Sequence, residues 1–215
     1  MVSKGNLPAK TVERLSEYRR TLLDSLEEKR SYIFSHELAA LLHITAVQVR
    51  RDLMLIGYSS VLKKGYDVQE LINTIGEILD SDKGLNVAVI GIGNLGRAIT
   101  SYFKGKRSKL NVIASFDNDP EKINKVISGV KCYPISDMGD VVKTLDVSIV
   151  ILTVPPEEAA AVAEETIRYG VKGIMNFTTV PLNVPPGIFL EQYDMITSVE
   201  KLAYFVKESS SRLSG

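Results

Sequence analysis

The sequence predicts an α/β chain in two parts: a winged helix-turn-helix domain, then a Rossmann domain built on a doubly wound parallel sheet. Three observations carry that expectation. A helical, basic first third ends near residue 65; a strand, the glycine run GIGNLG and a helix meet at Gly91; strands and helices alternate from there onward. The charge divides in the same place. Residues 1–65 hold 11 Lys and Arg against 7 Asp and Glu, while the remaining 150 hold 15 against 19, so a neutral total hides a positive front module. Such an asymmetry suits an anionic partner.

At 45% hydrophobic and 24% charged, the 215 residues have the composition of a globular protein, which argues against long disorder. No apolar run reaches the length of a membrane span, and residues 1–10 hold no signal-peptide core, so a cytoplasmic protein is expected. The single cysteine, Cys132, excludes a disulfide framework and a multi-cysteine zinc site. Beside Tyr133 and Pro134 it reads as a small core hydrophobe. His36 and His43 have no third ligand nearby, and no metal is expected.

Pro8 to Lys29 reads as an amphipathic helix, with Val12, Leu15, Leu22 and Leu26 on its inner stripe. Ser35 is expected to cap a short helix through Leu42. Thr45-Ala46-Val47-Gln48 is a capping-box pattern that opens a third helix, with Val49, Leu53 and Ile56 inside and Gly57 as its stop. Gln48, Arg50 and Arg51 project from the other faces. Two short helices joined by a tight turn, the second opening with polar and basic residues, form the helix-turn-helix layout that enters a major groove. Arginine can pair with guanine and glutamine with adenine. A plain three-helix bundle with surface arginines is the bland alternative. Residues 57–66 suggest a hairpin wing whose Lys63 and Lys64 lie near the DNA backbone.

Asp67 to Asp80 is a further amphipathic helix, capped by Asp67, and residues 81–84 break the pattern. The expected domains are therefore 1–80 and 81–215. Leu85–Ile90 is a strand, and Gly91, Ile92, Gly93, Asn94, Leu95 and Gly96 follow at once, before a helix over 97–103. In that order the glycines serve a tight turn, a close pyrophosphate approach and helix–strand packing, with the helix N-terminus offering N–H groups. A second strand ends at Asp117, 21 residues past Gly96, where an acid accepts hydrogen bonds from an adenosine ribose. That acid, with no arginine after it, predicts NAD(H) in preference to NADP(H). Further strands are expected at 131–135, 147–154 and 173–177, with a helix over 156–169. Thr153, Val154, Pro155, Asn176 and Phe177 then fall just past strand C-termini, the edge where such sheets bind ligands. Thr197-Ser198-Val199-Glu200 is a second capping box, opening a terminal helix that is apolar over a broad arc.

These stretches together resemble the Rex family of redox-sensing transcriptional repressors. The resemblance rests on TAVQVRRDL at 45–53, Gly65-Tyr66, GIGNLG at 91–96, FDNDP at 116–120, LTVP at 152–155 and GIMNF at 173–177. It implies a homodimer on an inverted-repeat operator of double-stranded DNA, released by NADH and permitted by NAD+, with the C-terminal helix exchanged between subunits. It implies no catalysis. It also implies a basic pair at Arg50 and Arg51, a switch through Tyr102 and Asp194 joined by Arg14, and a nicotinamide-facing position at Met195. The wing departs from the family pattern, with Ser60 for a glycine and Leu62 for an arginine that would reach the minor groove, so an altered operator preference is expected. An NAD-dependent dehydrogenase with a helical extension is the principal alternative, although both histidines lie in the front module. A CoA-binding regulatory domain is a third reading, against which Asp117 argues.

Overall fold

The computed structural model describes residues 7–59, 64–103 and 109–213. It divides into two compact units, Met1–Asp82 and Lys83–Gly215.

The first unit is helical. Helix α1 (Ala9–Glu27) buries Thr11, Leu15, Tyr18, Leu22 and Ser25. Its inner stripe is thus rotated from the expected one, and Val12 is 39% exposed. A two-residue strand β1 (Tyr32–Ile33) precedes α2 (Ser35–Leu41), which turns into α3 (Ala46–Leu55). Ser35 is not the cap of α2. Phe34 holds that position, and its N–H is satisfied by the Glu37 carboxylate at 2.8 Å. Thr45 does cap α3, accepting from the Gln48 N–H at 3.1 Å. Strand β2 (Tyr66–Asp67) pairs antiparallel with β1, and Asp67 caps α4 (Val68–Leu79) by accepting from the Glu70 N–H. The expected hairpin tip, residues 60–63, lies outside the described residues, including Ser60, Leu62 and Lys63. A single core joins Leu15, Tyr18, Leu22, Leu38, Val49, Leu53, Leu71 and Ile75. Burial of these side chains, at about 1.5–3 kcal/mol each, holds α1, α3 and α4 together.

The second unit is a seven-stranded sheet in the order β5-β6-β4-β3-β7-β8-β9. Its strands are β3 (Leu85–Ile90), β4 (Leu110–Asp117), β5 (Val126–Ile127), β6 (Val130–Pro134), β7 (Val147–Leu152), β8 (Gly173–Asn176) and β9 (Phe189–Gln192). All pair in parallel except the short antiparallel β5. The six parallel strands follow the classical dinucleotide order 3-2-1-4-5-6, which reverses direction between β3 and β7. Helices α5 (Asn94–Phe103), α6 (Met138–Thr144) and α7 (Pro156–Arg168) lie between the strands. Ile90, Phe116, Val150 and Leu152 are fully buried, as continuous apolar runs require in a sheet covered on both faces.

The last helix, α8 (Met195–Leu213), begins before the expected box at Thr197. Asp194 caps it instead, accepting from the N–H groups of Ile196 and Thr197 and from the Thr197 hydroxyl. Thr197 is thereby a donor to the cap. Met195, Ile196, Val199, Leu202, Phe205 and Val206 all stay exposed, so within one chain the apolar arc of α8 has no cover among the described residues.

Candidate nucleic-acid interface and dinucleotide site

In the first unit the charged centre is Asp52, on the inner side of α3 and fully buried. The Arg14 guanidinium donates to both its oxygens, Nε to Oδ2 at 2.6 Å and Nη2 to Oδ1 at 2.8 Å. The Tyr18 hydroxyl donates to Oδ2 at 2.7 Å, and Gln48 Nε2 to Oδ1 at 3.0 Å. Burial pushes the Asp52 carboxyl up, but the bonds from Arg14, Tyr18 and Gln48 outweigh it and hold it below the usual carboxylate value. The same pair raises Arg14, and burial followed by the Asp52 bond raises Tyr18. A satisfied buried carboxylate thus fixes α3 upon α1.

This sorts the expected DNA-facing residues. Gln48 is partly committed: a carboxylate only accepts, so its amide nitrogen faces Asp52. Arg50 donates from Nη1 to Ser35 Oγ at 3.0 Å, bracing α3 against α2. Arg51 is exposed, and its side chain has no hydrogen bond or ion pair among the described residues. Lys64 Nζ lies 5.9 Å from the Tyr32 ring centroid. Sequence reasoning missed that Val47 (57% exposed) and Met54 (73%) share the outer face with Arg50 and Arg51, forming an open groove of about 490 Å³. Exposed apolar residues on a helix otherwise rich in arginine were the available signal.

The second site lies at the topological switch point. Gly91 (φ 89°) turns the chain where a Cβ would stand 2.7 Å from the Thr153 carbonyl oxygen. A Cβ at Gly96 would collide with the Gly91 carbonyl oxygen. Gly93 is different, because nothing lies within 4 Å of its missing Cβ. The Thr153 hydroxyl clamps the loop, donating to the Gly91 carbonyl at 2.6 Å. Asn94 and Leu95 open α5, where first-turn N–H groups lack intrahelical acceptors and the dipole favours an anion. An open backbone approach beside a helix N-terminus fits a pyrophosphate.

Asp117 is at the end of β4 as expected, and it is more engaged than expected. Its Oδ2 accepts from the Ile92 N–H at 2.8 Å and from Lys122 Nζ at 3.1 Å, and its Oδ1 from the Asp119 N–H at 2.9 Å. Of about four acceptor positions on a carboxylate, one is left for a ribose hydroxyl. Lys122 also pairs with Asp119 at 3.3 Å. Burial acts to lower Lys122, but its bonds to Asp117 and Asp119 win and hold it above the ordinary lysine value. This cation sits five residues past Asp117, where only an arginine directly after the acid was sought.

On the far side, Val154 is buried and Pro155 precedes the first residue of α7. Asn176 is fully buried, and its side chain is spent on the protein itself. Its amide nitrogen donates to the Val180 carbonyl and to Gln192 Oε1, and its oxygen accepts from the N–H and the hydroxyl of Thr178. It positions the loop after β8 from within. Phe177 stacks on Tyr193, an aromatic that sequence reasoning did not single out. Tyr102 stands exposed on α5, edge-on to Phe103. Burial pushes the Cys132 thiol up, away from a reactive thiolate. Among the described residues no three His, Cys, Asp or Glu gather as metal ligands, and no helix is long and apolar enough to cross a membrane.

A helix-turn-helix unit and a dinucleotide fold on one chain define a DNA-binding regulator that carries a nucleotide site. Comparison with known proteins makes this specific. Residues 6–53 match the family described as "Putative DNA-binding protein N-terminus", and residues 82–180 match the "CoA binding domain" family. The chain is 35% identical to the redox-sensing transcriptional repressor Rex of Lactobacillus acidophilus, across 95% of this chain and 97% of that protein. It is 34% identical to Rex of Exiguobacterium sibiricum, across 97% and 95%. The solved structure of RSP, a Rex-family repressor, in complex with β-NAD+ and operator DNA matches at 31% identity and TM-score 0.88, covering 98% of this chain and 97% of that one. RSP in complex with β-NADH matches at 30% and 0.83, covering 98% and 99%. The chain belongs to the Rex family of redox-sensing transcriptional repressors.

Asp52→Ala should destabilise the first unit by about 3 kcal/mol, since it strands a partly buried arginine. Because the folded Asp52 value is depressed, its contribution is present above the unfolded value of about 4 and is lost as pH falls through the folded one. Acid titration of stability by circular dichroism should therefore be flatter in Asp52→Asn than in the wild type. Gly96→Ala meets backbone rather than a yielding side chain, so its thermal midpoint should fall and NADH binding by calorimetry should weaken sharply.

Proposed function

We propose that this chain is a transcriptional repressor whose hold on its operator follows the NADH/NAD+ ratio, with NADH releasing the DNA. The observation that carries the reading is the open backbone at Gly93, between the α5 N-terminus and Asp117, on the same chain as an exposed arginine face. The relatives' names and the RSP complexes with β-NAD+ plus operator DNA and with β-NADH support it.

In this reading the backbone of Gly91, Ile92, Gly93, Asn94, Leu95 and Gly96 receives the pyrophosphate, and Asp117 takes the adenosine ribose through its remaining acceptor position. Thr153, Val154, Pro155 and Phe177 line the nicotinamide side, with Asn176 holding that wall in place. The bound dinucleotide supplies a redox-dependent shape and charge. The protein catalyses no turnover of it. On the DNA side Arg51 reads base edges, Thr45, Arg50, Lys63 and Lys64 meet phosphates, and Gln48 works from the rim. The exposed arc of α8 is covered by a second copy, so the protein is a homodimer with exchanged terminal helices, and two-fold symmetry matches an inverted-repeat operator. Tyr102, Asp194 and Arg14 form the switch between the DNA-bound and DNA-released arrangements of the dimer. It works in the cytoplasm, where its DNA is.

The decisive test is linkage. Operator DNA must weaken NADH binding by the same factor that NADH weakens operator binding, about 5- to 150-fold. Fluorescence anisotropy with NADH and NAD+ titrated separately measures both arms, and equal NADH affinity with and without operator would reject the repressor reading. Arg51→Ala should weaken operator binding by roughly 1–3 kcal/mol and leave NADH affinity without DNA unchanged. Asp117→Ser should weaken NADH and narrow the gap to NADPH, read by calorimetry with both dinucleotides.

A further inference from the structure

Resting on the cofactor reading above, we infer that Tyr193, stacked on Phe177, is the platform for the nicotinamide ring and biases the site toward the oxidised cofactor.

The sheet order fixes where that ring must go. The adenosine end belongs to Asp117 at the tip of β4, and the pyrophosphate to the glycine loop after β3. The third part of the dinucleotide is left to the ends of β7, β8 and β9, on the other side of the switch point. At about 4.8 Å per strand, the end of β8 lies roughly 10 Å from that of β3, across the crevice that an extended dinucleotide spans. Phe177 is the first residue past β8, pinned by its N–H to the Leu152 carbonyl at 3.0 Å. Tyr193 is the first residue past β9, and its N–H donates to the Asn176 carbonyl at 2.8 Å.

The two rings lie 5.2 Å apart between centroids with an interplanar angle of 16°. Phe177 covers one face of Tyr193, and the residue remains 44% exposed. The pair is rigid beneath. Asn176 uses all its polar capacity to fix the Phe177 loop, and Gln192, adjacent to Tyr193, takes part in the same network through the Leu182 N–H at 3.1 Å. A stacked pair on a rigid base, at the C-terminal ends of β8 and β9 beside the wall that Thr153, Val154 and Pro155 form, is a surface for a flat ring.

The chemistry gives it a sign. The nicotinamide of NAD+ is a pyridinium cation and that of NADH is neutral. An electron-rich aromatic face attracts the cation more strongly. Tyr193 therefore raises the NADH/NAD+ ratio at which the regulator lets go.

The test is calorimetry on the full-length protein with NAD+, NADH and ADP-ribose, which lacks the ring. Tyr193→Leu should weaken NAD+ by about 5- to 10-fold, weaken NADH less, and leave ADP-ribose unchanged, the last also reporting an intact fold. Tyr193→Phe keeps an aromatic face and should keep the wild-type NADH/NAD+ affinity ratio. Equal changes for all three ligands in Tyr193→Leu, or a ratio lost equally in Tyr193→Phe, would overturn the platform while the cofactor reading stands. A wild type that binds none of the three ligands would overturn both.

Discussion

At Gly91 and Gly96 two strand ends and a helix meet backbone to backbone, and the second unit is organised around that approach. The carbonyl of Gly91 is the crowded atom. It bars a side chain at Gly96 and accepts the Thr153 hydroxyl. Thr153 in turn continues β7, donating its N–H to the Ile90 carbonyl at 2.9 Å. One small volume thus ties β3, β7 and α5 together, and what it leaves vacant is the space over Gly93. An open stretch of backbone beside a helix N-terminus is the remainder after the rest of the loop has closed.

The first unit solves a different problem by similar means. Helix α3 leaves Val47, Arg50, Arg51 and Met54 on its outer face, so its attachment rests on the inner one. α3 buries Val49, Leu53 and Ile56, and adds to them an ionic post at Asp52. Such a post specifies orientation more than it adds stability, because desolvation offsets much of the attraction. For a helix proposed to read DNA, orientation is the useful quantity.

Much of this was legible beforehand. Leu85–Ile90, the glycine run and the strand ending at Asp117 stand where periodicity and turn chemistry put them, because buried parallel strands are continuous apolar runs. Less was legible where a decision depends on remote contacts. Asp52 sits in a run of charged residues and reads as surface until Arg14, 38 positions earlier, is folded against it. Asn176 looks like a ligand contact, yet its bonds reach Val180 and Gln192. Strands β1, β2 and β5 are two residues long, too short for any period to register. At α8 two capping signals overlap, and the Asp194 carboxylate, with three donors available, prevails over a threonine hydroxyl.

Asp117 couples two roles that a coenzyme site could keep separate. Its carboxylate holds the Ile92 N–H of the glycine loop and, in the proposed reading, also takes the ribose. A replacement that lacks the carboxylate gives up the bond to the Ile92 N–H and leaves Lys122 with Asp119 alone. A change at 117 therefore reaches the glycine loop through Ile92 and the β4 end through Lys122 at once.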